Sequence, residues 1–170
     1  SGSRERKFIE DHGIRVIGEV PAMPELRTFR VSELLEKTDA KAIAGEKGMD
    51  NIVETMLVGA MSNQTAMGYM CRSCRKAVIT GGDRTEILLS ALSTDTACIV
   101  ITGGIRPSQM VLSKANELNV PVLMTSEDTV RVTETIDHLI VRIDPRDKEK
   151  TELIKNSVRS GVDIDSVWRS

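Results

Sequence analysis

Val78-Ile79-Thr80-Gly81-Gly82-Asp83-Arg84 and, twenty-two residues later, Val100-Ile101-Thr102-Gly103-Gly104-Ile105-Arg106 are near-copies of one another. Each opens on a β-branched run that reads as the end of a buried strand. Each then passes through a glycine pair into a helical pattern, Arg84–Leu92 in the first copy and Ser108–Leu118 in the second. A third strand ends similarly, in Leu123-Met124-Thr125-Ser126-Glu127-Asp128, before the helix Val130–Leu139. One βα unit separates the first two copies, so the repeat marks neighbouring units of one domain and not a solenoid.

Outward from this repeat the same alternation continues. Strands are expected at Ala40–Ala44, within Asn51–Ala60, and at Ala77–Thr80, Cys98–Thr102 and Val122–Thr125, with helices at Val31–Lys37 and Gln64–Ser73 between them. Short apolar strands alternating with helices of about ten residues predict an α/β fold with a mostly parallel sheet, helices on both faces and right-handed crossovers. Towards the amino terminus, Ile14–Pro21 reads as a strand halted by its proline, and Ala22–Thr28 as a connector. Towards the carboxyl terminus, Asp147–Ser160 reads as a charged helix with a Lys148–Glu152 ion pair, packed through Leu153, Ile154 and Val158. The expected division is an extension over 1–30, a central domain over 31–145 and a helical extension over 146–170.

Each threonine of the repeat is expected at the carboxyl end of its strand, where parallel sheets hold ligands at a reversal of strand order. Glycine pairs allow close backbone approach, and the following helices present unpaired amides with partial positive charge. Thr80, Gly81, Gly82, Asp83, Arg84, Thr102, Gly103, Gly104 and Thr125 are therefore the candidate ligand-binding residues, lining one crevice suited to an anion or nucleotide phosphate. The same residues also have a purely structural reading. Gly-Gly is an economical exit from a strand, Asp83 with Glu86 makes a capping box, and Pro107 suits a helix start. Asp83 and Asp128 both fall just past strand ends, a common position for caps. Arg84 opposes the helix dipole, so its guanidinium needs a carboxylate or a ligand.

Composition narrows the partners. The 170 residues carry a net charge of -2 with Lys and Arg dispersed, and the aromatics are Phe8, Phe29, Tyr69 and Trp168 alone. A basic face and stacking platforms are both missing, which argues against nucleic acid. No apolar run is long enough to span a bilayer, and the first residues lack the apolar core of a signal peptide. The Ser1-Gly2-Ser3 opening reads as a tag remnant or a cut inside a longer protein. Three cysteines and two histidines suit a reducing, cytoplasmic setting. Cys71-Arg72-Ser73-Cys74 is a C-x-x-C pair, but Cys98, His12 and His138 are too scattered to complete a zinc site. The pair is expected as packed, reduced and inert, closing a helix that contains Met67 and Met70. The methionines from Met49 to Met70 supply core filling or a pliable interface. No metal, cofactor or catalytic residue is expected.

Gly82-Asp83-Arg84 after a strand, a Leu-rich helix, then Ile101-Thr102-Gly103-Gly104 resembles the DRTGG domain family, over about Val31 to Ile143. The resemblance implies a three-layer α/β/α sandwich similar to the amino-terminal domain of HPr kinase. It implies a regulatory or assembly role of the kind such domains hold in phosphate acetyltransferases, dethiobiotin-synthetase-like P-loop proteins and regulated pyrophosphatases. Gly13–Pro21 is similar to the last strand of a dethiobiotin-synthetase-like domain, although no P-loop sequence occurs in the chain. The resemblance also implies a homodimer and offers adenine nucleotides as ligands. Three functions stand: a ligand-sensing, dimerising module; a scaffold with no ligand; and a small enzyme acting on a phosphorylated substrate, for which no nucleophile or base is identified.

Overall fold

A computed structural model describes residues 2–141, 143, 145 and 147–166. Asp144, Arg146 and Trp168, which belong to the expected carboxyl-terminal boundary and extension, lie outside the described residues. The chain forms two compact units, residues 27–142 and the paired terminal segments 1–26 with 143–170.

In the larger unit a five-stranded sheet is built from β2 (Lys41–Ala44), β4 (Thr55–Val58), β5 (Lys76–Gly81), β6 (Thr96–Thr102) and β7 (Val122–Met124), in the order β2-β7-β6-β5-β4. Strands β4 to β7 are parallel; β2 joins the β7 edge antiparallel, with Lys41 opposite Met124. The stretch expected as one strand within Asn51–Ala60 is divided at Glu54. Its first half, β3 (Ile52–Val53), pairs with β1 (Phe29–Arg30) in a separate two-stranded sheet. Glu54 turns away to meet the Arg75 guanidinium, and its amide donates to the Arg75 carbonyl at 2.9 Å.

Side-chain alternation along the strands feeds two cores. Val78, Ile99, Ile101 and Val122 pack beneath α3 (Asn63–Met70), α4 (Thr85–Leu92) and α5 (Gln109–Leu118), through Met70, Leu88 and Val111 among others. Ala77, Ile79, Cys98, Val100 and Leu123 face α2 (Val31–Lys37) and α6 (Thr129–Val141), meeting Leu34, Val132 and Ile136. The result is a three-layer α/β/α sandwich with a mostly parallel sheet. Local chemistry sets the helix ends. The Ser62 hydroxyl accepts from the Thr65 amide at 3.4 Å to start α3, and the Asp128 carboxylate accepts from the Arg131 amide at 2.8 Å to start α6. Asn119 adopts a left-handed φ of 53° to end α5.

In the smaller unit, α1 (Gly2–Asp11) is followed by an extended segment that meets the end of α7 (Lys148–Gly161). Ile14–Pro21, expected as a strand, makes a single bridge, Gly18 to Val162, flanked by bonds from the Glu19 amide to the Gly161 carbonyl and from Asp163 to Ile17, both at 2.9 Å. One neighbour over so short a length gives a bridge and not a ladder. In α7 the Asp147 carboxylate accepts from Lys150 at 3.0 Å. Glu152 pairs with Lys155 at 2.7 Å, not with Lys148, and the Lys155 ammonium holds the Glu152 carboxyl below its ordinary pKa. Leu153 is exposed, and no described residue of α7 is buried.

Candidate functional site

Register decides what the repeated turns can line. Between Lys76 opposite Thr96 and Ala77 opposite Cys98 the ladder slips by one residue, so β6 carries an extra residue at Ala97. Thr80 consequently lies opposite Ile101, and Gly81 opposite Thr102. A one-residue slip moves a side chain to the other face of the sheet. Thr80 faces the α3–α5 layer, where its hydroxyl donates to the Gly59 carbonyl at 3.3 Å. Thr102 faces the opposite layer, with its hydroxyl 3.1 Å from that of Thr129 at the start of α6. Thr125 donates to the Asp39 carboxylate and accepts from the Glu127 amide at 3.0 Å. Asp39 also accepts from the Ser126 hydroxyl at 2.7 Å, and the bonds from Ser126 and Thr125 hold its carboxyl below the ordinary range. All three threonines are buried, so they do not line one open crevice. Strands β4 to β7 also follow one another in chain order, with no reversal within the parallel set.

The glycines do come together. A Cβ on Gly82 would collide with the Ile105 carbonyl oxygen, so this glycine lets the first turn lie directly against the second. Gly103 and Gly104 hold φ values of 72° and 69°, and the space beside their Cα atoms is open. Their amides, expected to be free, donate to the carbonyls of Glu127 at 3.1 Å and Thr125 at 3.0 Å. Ser108 precedes α5, and its side chain does not cap the first-turn amides of that helix.

Asp83 does not cap α4. The residue at the cap position is Arg84, because backbone bonds from Arg84 to the Gly81 carbonyl at 3.3 Å and from Thr85 to the Asp83 carbonyl at 3.0 Å already close the turn. Asp83 is exposed and folds back over Gly81, where a Cβ would lie 2.6 Å from Asp83 Oδ1. The half-buried Arg84 donates from Nη2 to the Met61 carbonyl at 2.8 Å. Asn63, Asp83, Arg84, Thr85, Glu86 and Ile87 border a shallow depression beside this guanidinium. Asn63, which sequence reasoning did not single out, borders the depression because α3 follows β4 at the carboxyl edge, and Met61, read from the sequence only as core filling or pliable interface, contributes its carbonyl to Arg84. Glu127 was missed as well: its Oε2 is buried and has no hydrogen-bond partner among the described residues. No group of three His, Cys, Asp or Glu that could hold a metal ion occurs among the described residues. No described helix is long and apolar enough to cross a membrane.

Two helical layers around a mostly parallel sheet, with paired glycine turns at its carboxyl edge, define a three-layer α/β/α domain. Residues 33–139 match the DRTGG domain, and the chain belongs to that family. It is 26% identical over 144 residues to a phosphate acetyltransferase of Nitratidesulfovibrio vulgaris, covering 77% of this chain and 20% of that protein. It is 27% identical over 109 residues to the uncharacterized protein YtoI of Bacillus subtilis, covering 64% of this chain and 24% of that protein. The chain thus spans a quarter or less of the length of these relatives. Among solved structures it is similar in fold to the CBS and DRTGG domains of the regulatory region of Clostridium perfringens pyrophosphatase, complexed with the activator diadenosine tetraphosphate. The TM-score is 0.57 at 14% identity, covering 92% of this chain and 81% of that one.

Proposed function

We propose that this chain is a non-catalytic regulatory domain that dimerises and senses a nucleotide or another phosphorylated small ligand at the carboxyl edge of its sheet. The observation that carries this reading is the meeting of the two turns. Gly82 abuts Ile105, which gathers Asp83, Arg84, Gly103, Gly104 and the uncapped start of α5 at one edge. Arg84 supplies a cation for phosphate, and the open, left-handed Gly103-Gly104 turn leaves room for a ligand to approach. Thr80, Thr102 and Thr125 support this edge from within, since their hydroxyls are engaged. The regulated pyrophosphatase, with its nucleotide activator, supports adenine nucleotides as the first ligands to test.

A second reading, a scaffold without a ligand, is favoured by the engagement of the Gly103 and Gly104 amides in backbone bonds. Thermal denaturation with ATP, AMP, diadenosine tetraphosphate and acetyl phosphate separates the two. Sensing predicts that one of these raises the midpoint in the parent, and that Arg84→Ala reduces the rise. The scaffold reading predicts no shift with any of them.

A further inference from the structure

The C-x-x-C pair stands apart from this edge, at the opposite end of the sheet, where α3 gives way to β5. Expected as packed, both Cys71 and Cys74 are exposed, while Cys98 is buried in the core. Cys71 is the C-cap of α3, its amide donating to the Met67 carbonyl at 3.0 Å, and the next amide, Arg72, turns back to Tyr69 at 3.1 Å. The segment between the cysteines is anchored from below. Lys76 is wholly buried, and its Nζ donates to the Ser73 carbonyl at 3.1 Å and the Asp95 carbonyl at 2.6 Å. Thr55 holds the Cys74 carbonyl at 3.2 Å. Only Arg72 and Ser73, in the turn that leaves α3, separate the two cysteines. A disulfide needs Cβ atoms about 3.5–4.5 Å apart, so oxidation requires this turn to bring the two side chains to that separation. With no third metal-binding side chain grouped with them among the described residues, two exposed thiols on one anchored turn are suited to each other.

We infer that Cys71 and Cys74 form an oxidisable dithiol site that closes to an intramolecular disulfide by exchange with a low-molecular-weight disulfide. One cysteine thiolate attacks a sulfur of the small disulfide, breaking its S–S bond and releasing one small thiol. The second cysteine then attacks the mixed disulfide and releases the other half as a second small thiol. The chain loses two electrons, the small disulfide gains them, and the two cysteine protons end on the released thiols. Closure cross-links the end of α3 to the turn that enters β5.

The test equilibrates the whole chain with mixtures of reduced and oxidised glutathione, blocks remaining thiols with a maleimide under native conditions, and measures intact mass. The reduced protein should take two maleimides. The oxidised protein should take none, carry no glutathione and be lighter by two hydrogen atoms. Cys71→Ser and Cys74→Ser, confirmed as folded by circular dichroism, should each stop at a mixed disulfide with one glutathione. Stable glutathione adducts on the parent would overturn the inference, because they would show that the two sulfurs do not meet. A parent that stays reduced at the most oxidising ratio would overturn it equally.

Discussion

Gly82 and Gly103 are glycines for different reasons, and substitution distinguishes them. At Gly82 the obstacle is space, since a Cβ meets the Ile105 backbone; at Gly103 it is conformation, a φ of 72° with nothing nearby. Asparagine tolerates the left-handed region but still carries a Cβ. Gly103→Asn should therefore lose under about 1 kcal/mol, whereas Gly82→Asn should lose about 1–3 kcal/mol by overpacking, both read from urea unfolding. Cys98 gives a second prediction at this scale. Burial pushes its thiol up from 9.0 to about 12, so above pH 9.0 the unfolded chain releases a proton that the folded chain keeps. The unfolded state then binds fewer protons, and stability falls as pH rises from 9.0 towards about 12. Lys76 acts with the opposite sign, because burial lowers its pKa below 10.5 and deprotonation relieves that cost. Cys98→Ala keeps Lys76, so the difference between parent and variant isolates the thiol: the parent should lose more stability than the variant across this window.

At the scale of elements, packing ranks the helices. Leu88 of α4 is fully buried against the sheet, so Leu88→Ala should cost about 2–5 kcal/mol. Met110 of α5 is 66% exposed, and Met110→Ala should change stability by less than about 0.5 kcal/mol in the same denaturation experiment. This is also the scale at which the sequence was most legible. The runs Ala77–Thr80, Cys98–Thr102 and Val122–Thr125 became three parallel strands because their residues are apolar on both faces, as a doubly covered sheet requires. The slip at Ala97 was not legible: Thr96, Ala97 and Cys98 are all small, and inserting one small residue leaves the apolar pattern unbroken. That unseen residue is what sends Thr80 and Thr102 to opposite faces although their sequence contexts match. The break at Glu54 and the antiparallel pairing of β2, whose strand was itself legible at Ala40–Ala44, depend on partners far along the chain, Arg75 and β7. Asp83 looked like a cap because its type and spacing fit one; the closure of the turn by backbone alone is invisible in residue types.

For the whole molecule, the proposed regulatory role has two parts, association and sensing. A two-fold dimer is the common form of homo-oligomer, and sedimentation should give a mass near twice 18.7 kDa at micromolar concentration. Sensing is tested by calorimetric titration of adenine nucleotides, including diadenosine tetraphosphate, into the parent and Arg84→Ala. Binding to the parent should be saturable and weakened about tenfold or more by Arg84→Ala, the scale of a lost hydrogen bond to a charged group. Circular dichroism of the variant must match that of the parent for the comparison to count. No saturable heat with any of these nucleotides in the folded parent, or equal affinity in Arg84→Ala, would contradict it.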